Sequence, residues 1–267
     1  MVFQPLRGWL ISGCRFATPF VPATVILFFA ASAFAAATND LSNSQIEGRT
    51  LAQQLCNERP GTNATLTGTL KIRDKNGTRT EWPMKFEVVV TETNWTSIYE
   101  KTLPTNVPAF GRLLIEHDAS SNRYEMTLVS TNHGPRNMNR SEVVERLLFA
   151  GDFLGLDLGL EFFHWPEQAV LKHEMRRGRS CRVLESTNPN PGAFPNLPDY
   201  SRVDSWIDNE SGGIVHAEAY DVAGKLLKEF DPKSFKKVNG QWELEDMEIR
   251  NDQTGSRTRI EFDLDEK

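Results

Sequence analysis

Apolar and polar residues alternate along most of the chain, which is the pattern of half-buried β-strands. Apolar side chains fall on alternate positions between Leu66 and Ile72 and again between Trp82 and Val90. The Asn76-Gly77 pair between these two runs is the strongest short signal for a β-hairpin. We therefore predict an antiparallel strand pair with one face in the core.

The same alternation predicts further strands before and after the middle of the chain, separated by turn-forming residues. They are Trp95–Tyr99, Leu113–His117, Tyr124–Val129, two strands around Arg177-Gly178, and then Arg202–Asp208, Ile214–Tyr220, Leu226–Phe230, Gln241–Arg250 and Arg257–Leu264. A change of phase between Leu244 and Met247 indicates a β-bulge near Glu245-Asp246. About ten antiparallel strands in one sheet tend to curl or close, and the concave side must then be filled by helices or by a ligand.

Helical spacing is confined to short stretches. Apolar residues predict a helix over Gln45–Asn57, which ends before the stop signal Arg59-Pro60-Gly61. Ser141 is a suitable N-cap for a second helix that runs to Phe149.

The most apolar stretch of the mature chain is Leu147–Gln168, in which glycines recur at positions 151, 155 and 159. Each glycine costs a helix about 1 kcal/mol relative to alanine, so the stretch is either a plug buried in the core or a flap over an apolar cavity. We predict that residues 147–165 form a flap over an apolar cavity, whose wall is formed partly by Trp82, Met84, Phe86 and Val88. The flap residues are Leu147, Leu148, Phe149, Phe153, Leu154, Leu156 and Leu158.

The N-terminus has the three parts of a secretory signal peptide. Arg7 and Arg15 precede an apolar run from Phe20 to Phe34, and small residues follow at Ala33-Phe34-Ala35. We expect cleavage after Ala35, which leaves residues 36–267 as a single soluble domain; an uncleaved membrane anchor is the alternative.

Two cysteines, Cys56 and Cys181, remain after this cleavage. An oxidising compartment favours a disulfide between them, and two buried free thiols are the alternative. A net charge of −6 without a basic patch gives no support for nucleic-acid binding. No residue spacing typical of a metal or cofactor site is present, so we expect neither.

Asp152, Asp157 and Glu161 are the carboxylates that lie in an apolar setting. They could serve as a general acid/base pair or a cation site, as in a hydrolase that uses Asp152 and Asp157. The interpretation that we favour is that they are N-caps or turn residues.

Several motifs together resemble the bacterial outer-membrane lipoprotein-sorting proteins, relatives of the periplasmic lipoprotein carrier LolA. The resemblance covers most of residues 45–264. It rests on the hairpin at Lys75-Asn76-Gly77, on Gly151–Leu158, on Arg202–Asp208, on Ala219–Leu226, and on Trp242 and Thr258.

The resemblance implies a mainly β (α+β) fold: a curved antiparallel sheet that forms an unclosed barrel, with an N-terminal helix and a mid-chain lid over a hydrophobic cavity. It implies a non-enzymatic, monomeric periplasmic protein that shields acyl chains of lipids or lipoproteins and meets partners at the inner and outer membranes. A structural envelope protein whose cavity is filled by its own side chains is the second hypothesis.

Overall fold

The computed structural model describes residues 41–101, 110–130, 133–138, 151–191, 200–238 and 240–264. Within them, one antiparallel sheet of 13 strands accompanies a long helix and two short ones. The helices are α1 (Asn43–Asn57), α2 (Gly155–Gly159) and a 3-10 helix (Glu161–His164). The strands are β1 (Ala64–Arg73), β2 (Arg79–Val90), β3 (Trp95–Lys101), β4 (Phe110–His117), β5 (Arg123–Ser130), β6 (His133–Met138), β7 (Glu167–Arg176), β8 (Arg179–Thr187), β9 (Arg202–Asp208), β10 (Ile214–Tyr220), β11 (Leu226–Val238), β12 (Gln241–Asn251) and β13 (Arg257–Phe262).

The chain enters the sheet near its middle and visits the two edges in turn. Strands β1 to β6 run outward to one edge, β7 starts at the opposite edge, and β8 to β13 return until β13 pairs with β1. The connection from β6 to β7 must therefore cross from one edge of the sheet to the other. Its described part, residues 151–166, is called the crossing segment below.

The two faces of the sheet differ sharply in polarity. The inner face carries the apolar row in which Leu70 lies opposite Trp82 and Ile260. The outer face carries charged rows, in which Lys71 contacts Glu261 at 2.6 Å. Because side chains alternate between faces along each strand, this arrangement follows from the alternation in the sequence.

The sheet wraps around the crossing segment. The hydroxyl of Tyr124 on β5 donates to Glu161 at 2.9 Å, and Lys228 on β11 lies 3.6 Å from Asp157. Seven strand spacings separate β5 from β11, which is about 34 Å in a flat sheet. Two carboxylates that are only four residues apart reach both strands, so the sheet must be strongly curved.

Helix α1 lies against the edge strand β7. Ser42 and Gln45 form a capping box at its start, which satisfies backbone N–H groups that lack helical partners. Leu51 and Ala52 are buried in the core. Gly48 allows close approach, since a Cβ atom there would lie 2.5 Å from the Cα atom of Ala169.

The predicted fold class is confirmed: one curved antiparallel sheet that does not close, with an N-terminal helix. The predicted bulge is also confirmed, because the register skips Glu245 between Asp246 and Leu244. The sequence analysis missed β6 and the second half of β11, where Pro232 interrupts the alternation. The predicted signal peptide and the helix from Ser141 to Phe149 lie outside the described residues.

Candidate ligand-binding site: a filled concavity

The crossing segment fills the inside of the curved sheet. Its apolar side chains are almost completely buried, with exposed fractions of 1% for Phe153, 0% for Leu154 and 1% for Leu158. Leu156, Phe162 and Phe163 are also buried in the same cluster. In this structure the described part of the stretch predicted as a flap is therefore buried in the core.

The predicted wall residues lie in that cluster. Met84, Phe86 and Val88 on β2 are buried, and Trp82 is half-buried at its margin. The ammonium group of Lys101 lies 3.3 Å above the Trp82 ring. The structure thus brings the predicted wall and the described flap residues together, whereas Leu147, Leu148 and Phe149 lie outside the described residues.

The crossing segment is locally irregular. Helix α2 spans only Gly155–Gly159, and Leu160 follows it in the left-handed conformation with φ 49°. The Asp157 carboxylate accepts a hydrogen bond of 2.8 Å from the backbone N–H of Leu154, which caps this short helix. Such a segment gains little stability from its own helical hydrogen bonds, so packing against the sheet holds it in place.

Asp152 anchors one end of the segment to β13. Its carboxylate accepts hydrogen bonds from the hydroxyls of Ser256 at 2.6 Å and Thr258 at 2.9 Å. The backbone N–H of Asp152 donates in turn to the Thr258 hydroxyl at 2.7 Å. Both carboxylate oxygens are therefore engaged, as expected for a turn residue.

Asp157 and Lys228 form the centre of a buried polar contact between segment and sheet. Lys228 Nζ donates to the backbone carbonyl of Asp152 at 2.6 Å and lies 3.6 Å from Asp157 Oδ2. The hydroxyl of Tyr200 donates to Asp157 Oδ1 at 2.9 Å. The Lys228 side chain is only 2% exposed. We call Lys228, Asp152, Asp157 and Tyr200 the latch.

Burial acts against charge on both members of the central pair. It raises the pKa of Asp157 and lowers the pKa of Lys228, although their mutual attraction opposes both shifts. A buried ion pair of this kind adds little net stability, because desolvation offsets most of the Coulomb attraction. The latch therefore specifies the position of the segment more than it adds to net stability.

Little space is left next to the latch. Asp157, Tyr200, Lys228 and Phe230 line a cavity of about 30 Å³. That volume holds a water molecule or two and no long alkyl chain. Binding of a long ligand on this side of the sheet requires the crossing segment to move.

A second cavity of about 30 Å³ lies between the end of α1 and the 3-10 helix. His117 is buried there with its ring stacked 3.8 Å from Trp95, and its Nε2 atom lies 2.9 Å from the Ser97 hydroxyl. Burial, together with nearby His164, lowers the pKa of His117 to about 3. This histidine is thus neutral in the folded protein at ordinary pH.

The predicted disulfide is wrong for this structure, because Cys56 and Cys181 are both free. Cys56 lines the second cavity, 3.6 Å from the Nδ1 atom of His164, and burial raises its pKa to about 12. Cys181 lies on the outer face in a separate cluster with Val183 and Trp206. The register of β8 turns its side chain away from α1.

Comparisons with known proteins agree with this architecture. A DUF1329 family protein from Desulfovibrio piger matches with a TM-score of 0.65 at 18% identity, over 83% of this chain and 92% of that chain. A domain named for outer membrane lipoprotein sorting, from Vibrio parahaemolyticus, matches with a TM-score of 0.66 at 18% identity, over 82% and 92%. A LolA superfamily protein from Nitrosomonas europaea matches with a TM-score of 0.55 at 15% identity, over 84% and 93%.

The fold is LolA-like. A protein-family model described as an uncharacterized protein matches residues 148–265, which includes the crossing segment and every strand from β7 to β13. No curated protein matches the chain.

The sequence singles out Asp152 and Asp157 but not the side chains that contact them, which are Lys228, Tyr200 and Thr258. Lys228 shares its phase along β11 with Phe230, and a lysine in phase with an apolar residue is a signal that could have identified it. Tyr200 and Thr258 carry no such signal, because 43 and 106 residues separate them from their aspartate partners.

None of the helices in the described part of this LolA-like chain has the length and apolarity that a bilayer crossing requires.

Proposed function

We propose that the protein is a carrier or binder of acyl chains, from lipids or from acylated proteins. The ligand enters the concavity of the sheet when the crossing segment moves out. The observation that carries the proposal is the filled concavity itself: an apolar, irregular segment occupies the inside of a LolA-like sheet and is positioned by a weak polar latch.

The crossing segment and an acyl chain would gain apolar burial of the same order in the concavity, which suits a carrier that both loads and releases. Six large apolar side chains of the segment are buried: Phe153, Leu154, Leu156, Leu158, Phe162 and Phe163. At about 1.5–3 kcal/mol each they contribute about 9–18 kcal/mol. An acyl chain with about fourteen buried methylenes contributes about 11 kcal/mol, which lies within the same range.

We further propose that residues 1–35 direct export and are removed, so that the carrier acts as a monomer in the periplasm. Its partners would be the membranes or envelope proteins that donate and accept the acylated cargo. The similar structures that support this setting are the domain named for outer membrane lipoprotein sorting and the LolA superfamily protein.

The two alternatives differ in what they require of the site. A hydrolase needs a carboxylate that is free to exchange protons with a substrate, whereas the oxygens of Asp152 and Asp157 accept hydrogen bonds inside the protein. A structural protein with a permanently filled concavity needs the same contacts as the closed carrier, but it never binds lipid.

Mass spectrometry of the organic extract of the purified protein tests the proposal. We expect acyl lipid in the extract, and we expect the stripped protein to bind palmitate at one molecule per chain. Absence of lipid from the extract together with no palmitate binding would favour the structural alternative. Loss of substrate turnover in an Asp157→Asn variant would support the hydrolase.

A further inference from the structure

A group of potential metal ligands lies on the outer face of the sheet, remote from the proposed acyl site. Among the described residues, His216, Glu218 and Glu229 place one donor atom each within 4.8 Å of one another. His216 and Glu218 are two positions apart on β10, so their side chains share a face. Glu229 on β11 is the direct cross-strand partner of Glu218.

The histidine of this group is rigidly oriented. Its Nδ1 atom lies 2.7 Å from Asp231 Oδ1, and its Nε2 atom lies 3.0 Å from Glu218 Oε1. The ring packs edge-on against Trp206 at 5.0 Å, and its side chain is 3% exposed. A carboxylate on one ring nitrogen is the usual support of a metal-bound histidine, because it fixes the tautomer that leaves the other nitrogen available.

We propose that His216, Glu218 and Glu229 bind a divalent metal ion of the zinc class, with Asp231 as the residue that orients His216. One imidazole nitrogen and two carboxylates are a ligand set that Zn²⁺ accepts, with water in the remaining position. In the tetrahedral geometry of zinc, donors at about 2.1 Å from one ion lie about 3.4 Å apart, so the carboxylates must close in by up to about 1.4 Å. The Glu218 and Glu229 side chains are 18% and 28% exposed, which leaves them room to do so.

Three guanidinium groups border the site: Arg177 lies 2.7 Å from Asp231 Oδ1, and the other two compete with a metal for the glutamates. Arg176 lies 3.8 Å from Glu218, and Arg250 lies 3.6 Å from Glu229. Both are partly exposed, at 36% and 51%, so they can swing toward solvent. Replacing Arg250 with methionine should therefore tighten metal binding.

The position of the site suggests what a bound ion would do. Glu229 follows Lys228 directly, and consecutive strand residues point to opposite faces. An ion shared by β10 and β11 would thus brace the strand that presents Lys228 to the crossing segment.

Titration of the metal-stripped protein with Zn²⁺ by calorimetry, supported by the optical spectrum with Co²⁺, tests the site. We expect one equivalent to bind to the wild-type protein, with at least tenfold weaker binding for Glu218→Gln and Glu229→Gln. Asp231→Asn should weaken binding about 10–100-fold. Glu100→Gln is the matched control, because Glu100 is an ion-paired glutamate on the same face. The Zn²⁺ affinity of this variant should equal that of the wild type.

Absence of stoichiometric binding, or equal affinity in the wild type and both glutamine variants, would overturn the site. If Glu218→Gln fails to fold, as judged by circular dichroism, Glu229→Gln decides, since its side chain is more exposed. Palmitate binding by the metal-free protein is measured separately, so failure of the metal site and failure of the acyl site remain distinguishable.

Discussion

Lys228 Nζ lies 3.6 Å from Asp157 Oδ2, and this pair joins a strand of the sheet to the segment that fills it. The same ammonium group donates to the Asp152 carbonyl at 2.6 Å. The contact holds two points of the crossing segment with one side chain. Since burial opposes the charges on Lys228 and Asp157, the contact specifies one position for the segment and adds little net stability.

Removing Lys228 tests this role. We expect Lys228→Met to lower the free energy of unfolding by about 3–5 kcal/mol, because a buried carboxylate then loses its partner. Urea denaturation at pH 7 measures the loss. Lys225→Met is the control, since Lys225 is exposed in the neighbouring hairpin and its loss should change stability little.

The destabilisation caused by Lys228→Met should be smaller at acidic pH. The pKa of Asp157 is raised in the folded protein and rises further without the lysine, so the folded variant binds more protons than the unfolded chain. The stability of the variant then falls as pH rises from the unfolded-state pKa of Asp157 to its folded-state pKa, and it recovers as pH falls. A difference from wild type that stays constant between pH 7 and pH 4.5 would mean that Asp157 does not carry the effect.

Phe153 reports whether the segment competes with ligand. Phe153 is buried and packs edge-on against Phe230 at 6.4 Å, so Phe153→Ala should cost about 3–5 kcal/mol. In a carrier the same change should tighten binding of a fluorescent acyl probe, because the competing segment is weakened. Val183→Ala, in the outer-face cluster, should lose stability without altering probe binding. A large stability loss in Phe153→Ala with unchanged probe binding would argue for a permanent plug.

Gly48→Ala separates helix propensity from packing. Alanine favours a helix by about 1 kcal/mol over glycine, but its Cβ would lie 2.5 Å from backbone atoms of Ala169. The backbone cannot yield cheaply, so we expect a net destabilisation of about 1–3 kcal/mol in thermal or urea unfolding. Arg49→Ala, on the exposed side of the same helix, should be nearly neutral. A stabilised Gly48→Ala would show that α1 does not contact β7 this closely.

His117 should make the protein sensitive to acid. Its pKa is about 3 in the folded protein against 6.5 for the free side chain, so the unfolded chain binds more protons between these values. Stability is then lost as pH falls from 6.5 toward 3. His164 and Cys56 line the same cavity, and His164 adds to the depression of the pKa.

We expect His117→Gln to flatten the pH dependence of unfolding between pH 6.5 and 4 by up to about 3 kcal/mol. His173→Gln is the control, since the His173 side chain is 60% exposed. Identical pH profiles of the His117 variant and the wild type would contradict a buried neutral histidine.

Much of the sheet follows from local sequence patterns, because alternation directly reports which face of a strand is buried. The bounds predicted for Arg202–Asp208 and Ile214–Tyr220 agree with the structure to the residue. Strand β6 was missed because His133–Met138 contains proline and no alternating apolar row. The extension of β11 was missed because Pro232 and the bulges break the period that identifies a strand.

The site is harder to predict because its contacts are non-local. The glycine-rich apolar segment identified the occupant of the concavity, but a plug and a flap have the same composition. Which polar groups meet that segment depends on the curvature of the sheet, which brings Lys228 and Thr258 to aspartates far away in the chain. Whether Cys56 and Cys181 form a disulfide likewise depends on the face of the sheet to which the Cys181 side chain points from β8.

Amide hydrogen exchange of the protein with and without palmitate tests the central claim most directly. In the ligand-free protein, we expect slow exchange in the crossing segment, whose apolar side chains are buried. With saturating palmitate, amides from Phe153 to Phe163 should exchange much faster, while those of β1 and β2 remain protected. Palmitate that binds without changing exchange in the crossing segment, or that does not bind at all, would contradict the account.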